Sequence, residues 1–269
     1  MVEISLQPPR LAIAGGDPIG HAQCVQIGDN FVQLRYPPIA EAIVNISVEM
    51  GADFNLERAT TAFEALVRDR FPDRRPIEVS EASLTRDGGT APFIVATSTR
   101  MLGAIYWNAS NDIAVQCRSD GFSYNVVGNY QSWDVVRSAV QPLWNHYQQV
   151  CSPKRIKHLG LRYINKIDLI DRKVSELLAV GESELADEAV EFFSRHVLRF
   201  DAESRALVVV AISPASADSP KFAMLDIDAV RESTLEPTAD LWPLYESVRK
   251  IKNTCFFKFV KSPLLEQFA

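Results

Sequence analysis

The segment His158–Leu169, H-L-G-L-R-Y-I-N-K-I-D-L, constrains the fold more than any other stretch of the chain. Tyr163 and Ile167 fall on one side of an extended backbone, and Arg162, Lys166 and Asp168 fall on the other. That two-residue period is the mark of a strand with one packed and one wet face. A weaker echo, Glu41–Glu49, alternates Ala42, Val44, Ile46 and Val48 with more polar positions. Both stretches read as opening strands of larger units. Asn45 and Asn165 match in position within them, yet the apolar parity is opposite, and a one-residue slip turns every side chain over.

Helical patterns follow each opening strand. After the first, Asn55 suits an N-cap, Leu56, Ala59, Phe63, Leu66 and Val67 share one face, and Pro72 stops the run. Strands are then expected over 77–84, 103–107, 113–118 and 122–127, with a further short strand at 92–97. A long helix begins at Ser132, with a kink or break expected at Pro142. After the second opening strand come helical stretches at 172–180 and 184–196, then strands at 197–201, 205–212 and 222–230. A closing helix is expected over 240–253, with Lys252 and Asn253 suited to its C-terminal cap. Cys255–Val260 is too apolar to stay in water and must pack.

This order implies an α+β fold in which long helices cover one face of an antiparallel sheet, as two β-α-β(3-4)-α repeats. The order of elements resembles the TATA-binding-protein-like and helix-grip folds. The expected organisation is an N-terminal arm at 1–35, a first half at 36–156 and a second half at 157–269, with the two halves sharing one sheet.

Four stretches carry a more specific resemblance: Y-P-P-I-A-E-A at 36–42, D-G-F-S-Y-N at 120–125, L-G-L-R-Y-I-N-K-I at 159–167 and K-N-T-C-F-F at 252–257. Together they resemble a sporadically distributed bacterial family of proteins of about this length and unassigned function. The resemblance covers Tyr36 to Phe268, implies fold boundaries, and supplies no site residues.

Composition narrows the function classes. The formal net charge of -6 argues against non-specific nucleic-acid binding, which needs clustered Lys and Arg. No stretch approaches the ~18 apolar residues of a membrane-spanning helix. The four cysteines, Cys24, Cys117, Cys151 and Cys255, lie far apart without a C-x-x-C, so reduced thiols in a cytoplasmic protein are expected. The four histidines show no metal spacing, and phosphate-loop and nucleophile-elbow motifs are absent. No cofactor, metal or catalytic residue is therefore assigned, and the reading leans away from an enzyme.

Five charged residues inside apolar strands are the candidate binding residues: Glu41, Arg162, Lys166, Asp226 and Asp228. A charge on a central strand must be solvated or paired. These five either form cross-strand ion pairs on the wet face or line a polar surface for a ligand or partner. The expected function is a non-catalytic interaction protein with an accessory or defence-associated, antitoxin-like role. Its partner is a protein or a small molecule. The alternative is a small-molecule-binding protein or enzyme with a pocket between sheet and helices, lined by Trp107, Trp133, Trp144 and Tyr163.

Overall fold

The computed structural model describes residues 25–28, 31–85, 93–169, 172–180, 187, 191–213 and 221–268, without the side chains of 81–85 and 93–98. Residues 1–24 and 29–30 of the N-terminal arm, and residues 184–186 and 188–190 of the helix expected over 184–196, lie outside the described residues.

Nine antiparallel strands form one sheet. In chain order they are β1 (Ile39–Glu49), β2 (Asp73–Thr85), β3 (Phe93–Trp107), β4 (Ile113–Arg118), β5 (Gly121–Val127), β6 (Arg155–Asp168), β7 (Phe192–Arg199), β8 (Ser204–Ser213) and β9 (Phe222–Leu235). Their order across the sheet is β2-β3-β4-β5-β1-β6-β9-β8-β7. The two opening strands therefore lie side by side at the centre, with Val44 opposite Leu161 and Ile43 opposite Arg162. The described residues also carry five helical segments: α1 (Leu56–Val67), α2 (Trp133–Cys151), α3 (Val174–Leu177), α4 (Trp242–Phe259) and α5 (Ser262–Leu265).

The α+β antiparallel sheet is as the alternation implies, but the helix-covered description is corrected. The sheet is the body of the molecule, and among the described residues the helices pack chiefly on β3 to β6, β8 and β9. Helix α1 packs on β3 and β4, α2 on β5, and α4 on β6, β8 and β9. The edge strand β7 alternates between half-buried and exposed positions with none fully buried. Between β6 and β7 the described residues carry the four-residue turn α3. Residues 192–196, read as helix, belong to β7, because pairing with β8 imposes the two-residue period on Phe192 to Arg199. The likeness to TATA-binding-protein-like and helix-grip folds, and to two β-α-β(3-4)-α repeats, rested on that covering order and falls with it.

Three further local readings change. Helix α2 runs through Pro142 unbroken, because the carbonyl that the missing N–H leaves free belongs to Ser138, an exposed position where water can serve it. Helix α4 does not end at Asn253 but continues to Phe259, burying Cys255, Phe256 and Phe259 along the same side as Tyr245, Val248 and Ile251. The strand expected at 92–97 and the one at 103–107 are a single strand, β3.

Helices α2 and α4 lie on the same face of the sheet. From α2, Tyr147 sits against Phe122 of β5, and its hydroxyl donates to the Arg118 carbonyl at 2.9 Å. From α4, the fully buried Tyr245 donates to the Asn45 carbonyl at 2.9 Å. Trp133 at the start of α2 packs edge-on against Trp242 at the start of α4, with ring centroids 6.3 Å apart. The parity conflict between the two asparagines resolves in this frame. Asn45 points to the open face, beside Arg118 and Ser123. Asn165 is buried on the helix side, donating to the Leu225 carbonyl at 2.9 Å.

Candidate functional site

Four of the five charged residues come together on the face away from the helices. Arg162 on β6 grips the Asp226 carboxylate on β9 from Nε at 3.0 Å and from Nη2 at 2.7 Å. Asp228 stands directly opposite Arg162 in the β6–β9 register. Burial pushes its carboxyl up to about 6, against the pull of Arg162. Glu41 on β1 accepts from Asn125 Nδ2 at 2.8 Å and acts on Arg162 through space. Lys166 stands apart: it is exposed, with Nζ 4.7 Å from the centre of the Phe222 ring.

The same face continues as a polar layer over β1, β4 and β5. Arg118 bridges Asp120, Gln116, Ser123 and Asn45. On this open face Arg162 and Arg118 are matched by neighbouring acceptors, while Asp228 faces a guanidinium already committed to Asp226. The Arg162–Asp226 pair is the cross-strand ion pairing that charged strand positions require.

A different arrangement lies on the helix side. An open cleft of about 450 Å³ sits between the chain at 31–39, the far end of β6, the start of α2 and one side of α4. Helical spacing sets Glu246, Arg249, Lys252, Asn253, Phe256 and Phe257 of α4 along it, and strand alternation turns Tyr163 and Asn165 of β6 toward it. The segment before β1 is fastened as its outer wall. Phe31 stacks on Phe257 with ring centroids 5.5 Å apart, and the Gly28 N–H donates to Thr254 Oγ1 at 3.0 Å. Arg35 and Tyr36 both donate backbone N–H groups to the Phe268 carbonyl.

Inside the cleft the polar groups divide into paired and unpaired. Glu246 accepts from Trp133 Nε1 at 2.5 Å and from Arg249 Nη1 at 2.9 Å, so that carboxylate is spent. Tyr163 donates its hydroxyl to that of Tyr130 at 3.2 Å, and burial raises both phenols, which stay protonated at neutral pH. Lys252 Nζ lies 3.9 Å over the Tyr163 ring, and among the described residues no acceptor pairs with it. Its ammonium is pushed down to about 7, first by burial and then by the like charge of Arg249.

No known family model matches this chain, and no curated protein is similar to it.

Three of the four stretches singled out in the sequence nonetheless meet at the cleft. Tyr36–Ala42 supplies Pro37 and Ile39, Leu159–Ile167 supplies Tyr163 and Asn165, and Lys252–Phe257 supplies Lys252, Asn253, Phe256 and Phe257. Of the aromatic residues expected around a pocket, Trp133 and Tyr163 line it. Trp144 instead packs into the core against Phe122, and Trp107 lies beneath Arg75. Lys252 is the residue that sequence reasoning missed. Taken for a helix cap, it is a mid-helix residue that faces the cleft. The available signal was the apolar run Cys255–Val260, which extends the helical stripe beyond it. Among the described residues, no three His, Cys, Asp or Glu side chains cluster as a metal site requires. No helix among them is long and apolar enough to cross a membrane.

Proposed function

We propose that this chain is a small-molecule-binding protein whose ligand enters the α4–β6 cleft and presents an anionic group to Lys252 and an aromatic or apolar body to the walls. The observation that carries this reading is the Lys252 amine, held in a cleft of about 450 Å³ with no acceptor among the described residues. The volume lies within the range of small-ligand sites. Phe31, Phe257, Tyr130 and Tyr163 give the site apolar bulk, and a few polar groups orient what enters. A carboxylate placed by Lys252 gains a charge-assisted hydrogen bond, which is where a desolvated ammonium does best.

Calorimetric titration with phenylacetate, set against 2-phenylethanol, tests the reading. The carboxylate should bind more tightly than the alcohol of the same shape, and Lys252→Met should abolish that difference, a loss of about ten- to a hundredfold. Equal affinity for acid and alcohol, or an unaltered Lys252→Met protein, overturns it.

A further inference from the structure

We infer that the outer edge of β7 docks an extended acidic segment of another protein, which adds to the nine-stranded sheet in the pattern apolar-x-acidic-x-apolar. This surface is separate from the cleft, whose lining includes no residue of β7.

The backbone of β7 offers free bonding groups on its outer side. Arg199 turns its carbonyl away from the sheet, where it accepts from the Val25 N–H at 2.8 Å. Phe200, next in the chain, turns its N–H inward to the Ser204 carbonyl at 3.0 Å. Because β7 pairs with β8 in unbroken register, strand alternation aims the N–H and C=O groups of Phe193, Arg195 and Val197 outward. Among the described residues nothing bonds to them. The opposite edge of the sheet differs. There β2 carries Arg74, Arg75, Pro76 and Glu78 and shifts register twice against β3, features that keep an edge from pairing.

The side chains of β7 select what can pair. On the open face Phe193 and Val197 keep 68% and 56% of their surface in solvent. The exposed Arg195 stands between them, with Val209 of β8 across the ladder and no acceptor among the described residues. On the other face His196 packs edge-on against Phe259 of α4, with ring centroids 5.4 Å apart, so the strand is held as a fixed template. An added antiparallel strand with a carboxylate opposite Arg195 and an apolar residue two positions to either side meets all three side chains at once. A second copy of this chain is a poorer occupant. Two-fold pairing centred on Arg195 sets guanidinium against guanidinium. Pairing centred on His196 sets Phe193 against Arg199, whose carbonyl Val25 already holds.

The probe is a dye-labelled peptide, T-V-T-E-T-V-T, titrated with the full chain and read by fluorescence anisotropy. The charge-reversed peptide T-V-T-K-T-V-T is its control. The acidic peptide should bind about five- to tenfold more tightly, and Arg195→Glu should reverse that order. Val197→Pro removes an outward N–H and leaves the β8 ladder intact, as edge strands tolerate, so it should abolish binding while the circular dichroism spectrum is retained. With the acidic peptide bound, amide exchange at Phe193, Arg195 and Val197 should slow at least about tenfold. Wild-type protein that binds neither peptide overturns the inference, as does an affinity that ignores both the peptide charge and Arg195→Glu. A concentration-dependent dimer in sedimentation that Val197→Pro abolishes gives the edge to a second copy and equally overturns it.

Discussion

Replacing Asp228 by Asn should stabilise the protein at neutral pH and leave it unaltered in acid. Asp228 faces Arg162 across the β6–β9 ladder, but the guanidinium is committed to Asp226. Burial holds the Asp228 carboxyl at about 6, against an ordinary value of 3.8. Below roughly pH 3 the group is protonated in both folded and unfolded chains and contributes no difference. As pH rises from there to about 6 the unfolded chain ionises first, so stability falls, and above 6 the full penalty is present. Each tenfold change in acidity is worth about 1.4 kcal/mol, which sets an upper bound near ~3 kcal/mol. Screening of a half-buried group by water trims this to about 1–2 kcal/mol. Urea unfolding at pH 7.5 should therefore show the Asp228→Asn midpoint raised by roughly 0.5 M, for an m of about 3 kcal/mol/M. At pH 3 the two proteins should coincide. A lower midpoint at pH 7.5, or an equal gain at both pH values, refutes the reasoning.

Other outcomes follow from the same structure. Arg162→Ala strands the Asp226 carboxylate and should cost about 2–3 kcal/mol in denaturant unfolding. Because Arg162 lies on the face opposite the cleft, phenylacetate affinity should not move. Gly121→Ala places a Cβ 2.3 Å from the Ile46 carbonyl oxygen, a backbone atom that cannot step aside, and should lower the unfolding midpoint by more than about 2 kcal/mol equivalent. Phenylacetate affinity should be fullest below about pH 7 and weaken as pH rises further, since the Lys252 ammonium that pairs with the carboxylate is lost through that range; calorimetry from pH 6 to 9 reads it.

The sheet was legible because strand periodicity is local. Alternation along His158–Leu169 and Glu41–Glu49 marked both central strands and the faces of their side chains, including the opposed parity of Asn45 and Asn165. The four charges on the open face were found for the same reason. What failed was any reading in which distant pairing overrides local pattern. Phe192–His196 is consistent with a helical stripe until β8 lies beside it. The cleft was the least legible feature. Its walls come from residues between Phe31 and Phe257, and no spacing within one element brings them together. Lys252 carried a sufficient local explanation as a helix cap, and only the continuation of α4 through Phe259 turns it into a wall residue.

Backbone amide shifts followed by NMR during a phenylacetate titration test the ligand-binding account most directly. The account predicts that the largest shifts fall on 31–39, 130–134, 163–165 and 246–257, the residues that enclose the α4–β6 cleft. Shifts centred on Glu41, Arg162, Asp226 and Asp228, with the cleft residues unmoved, contradict it.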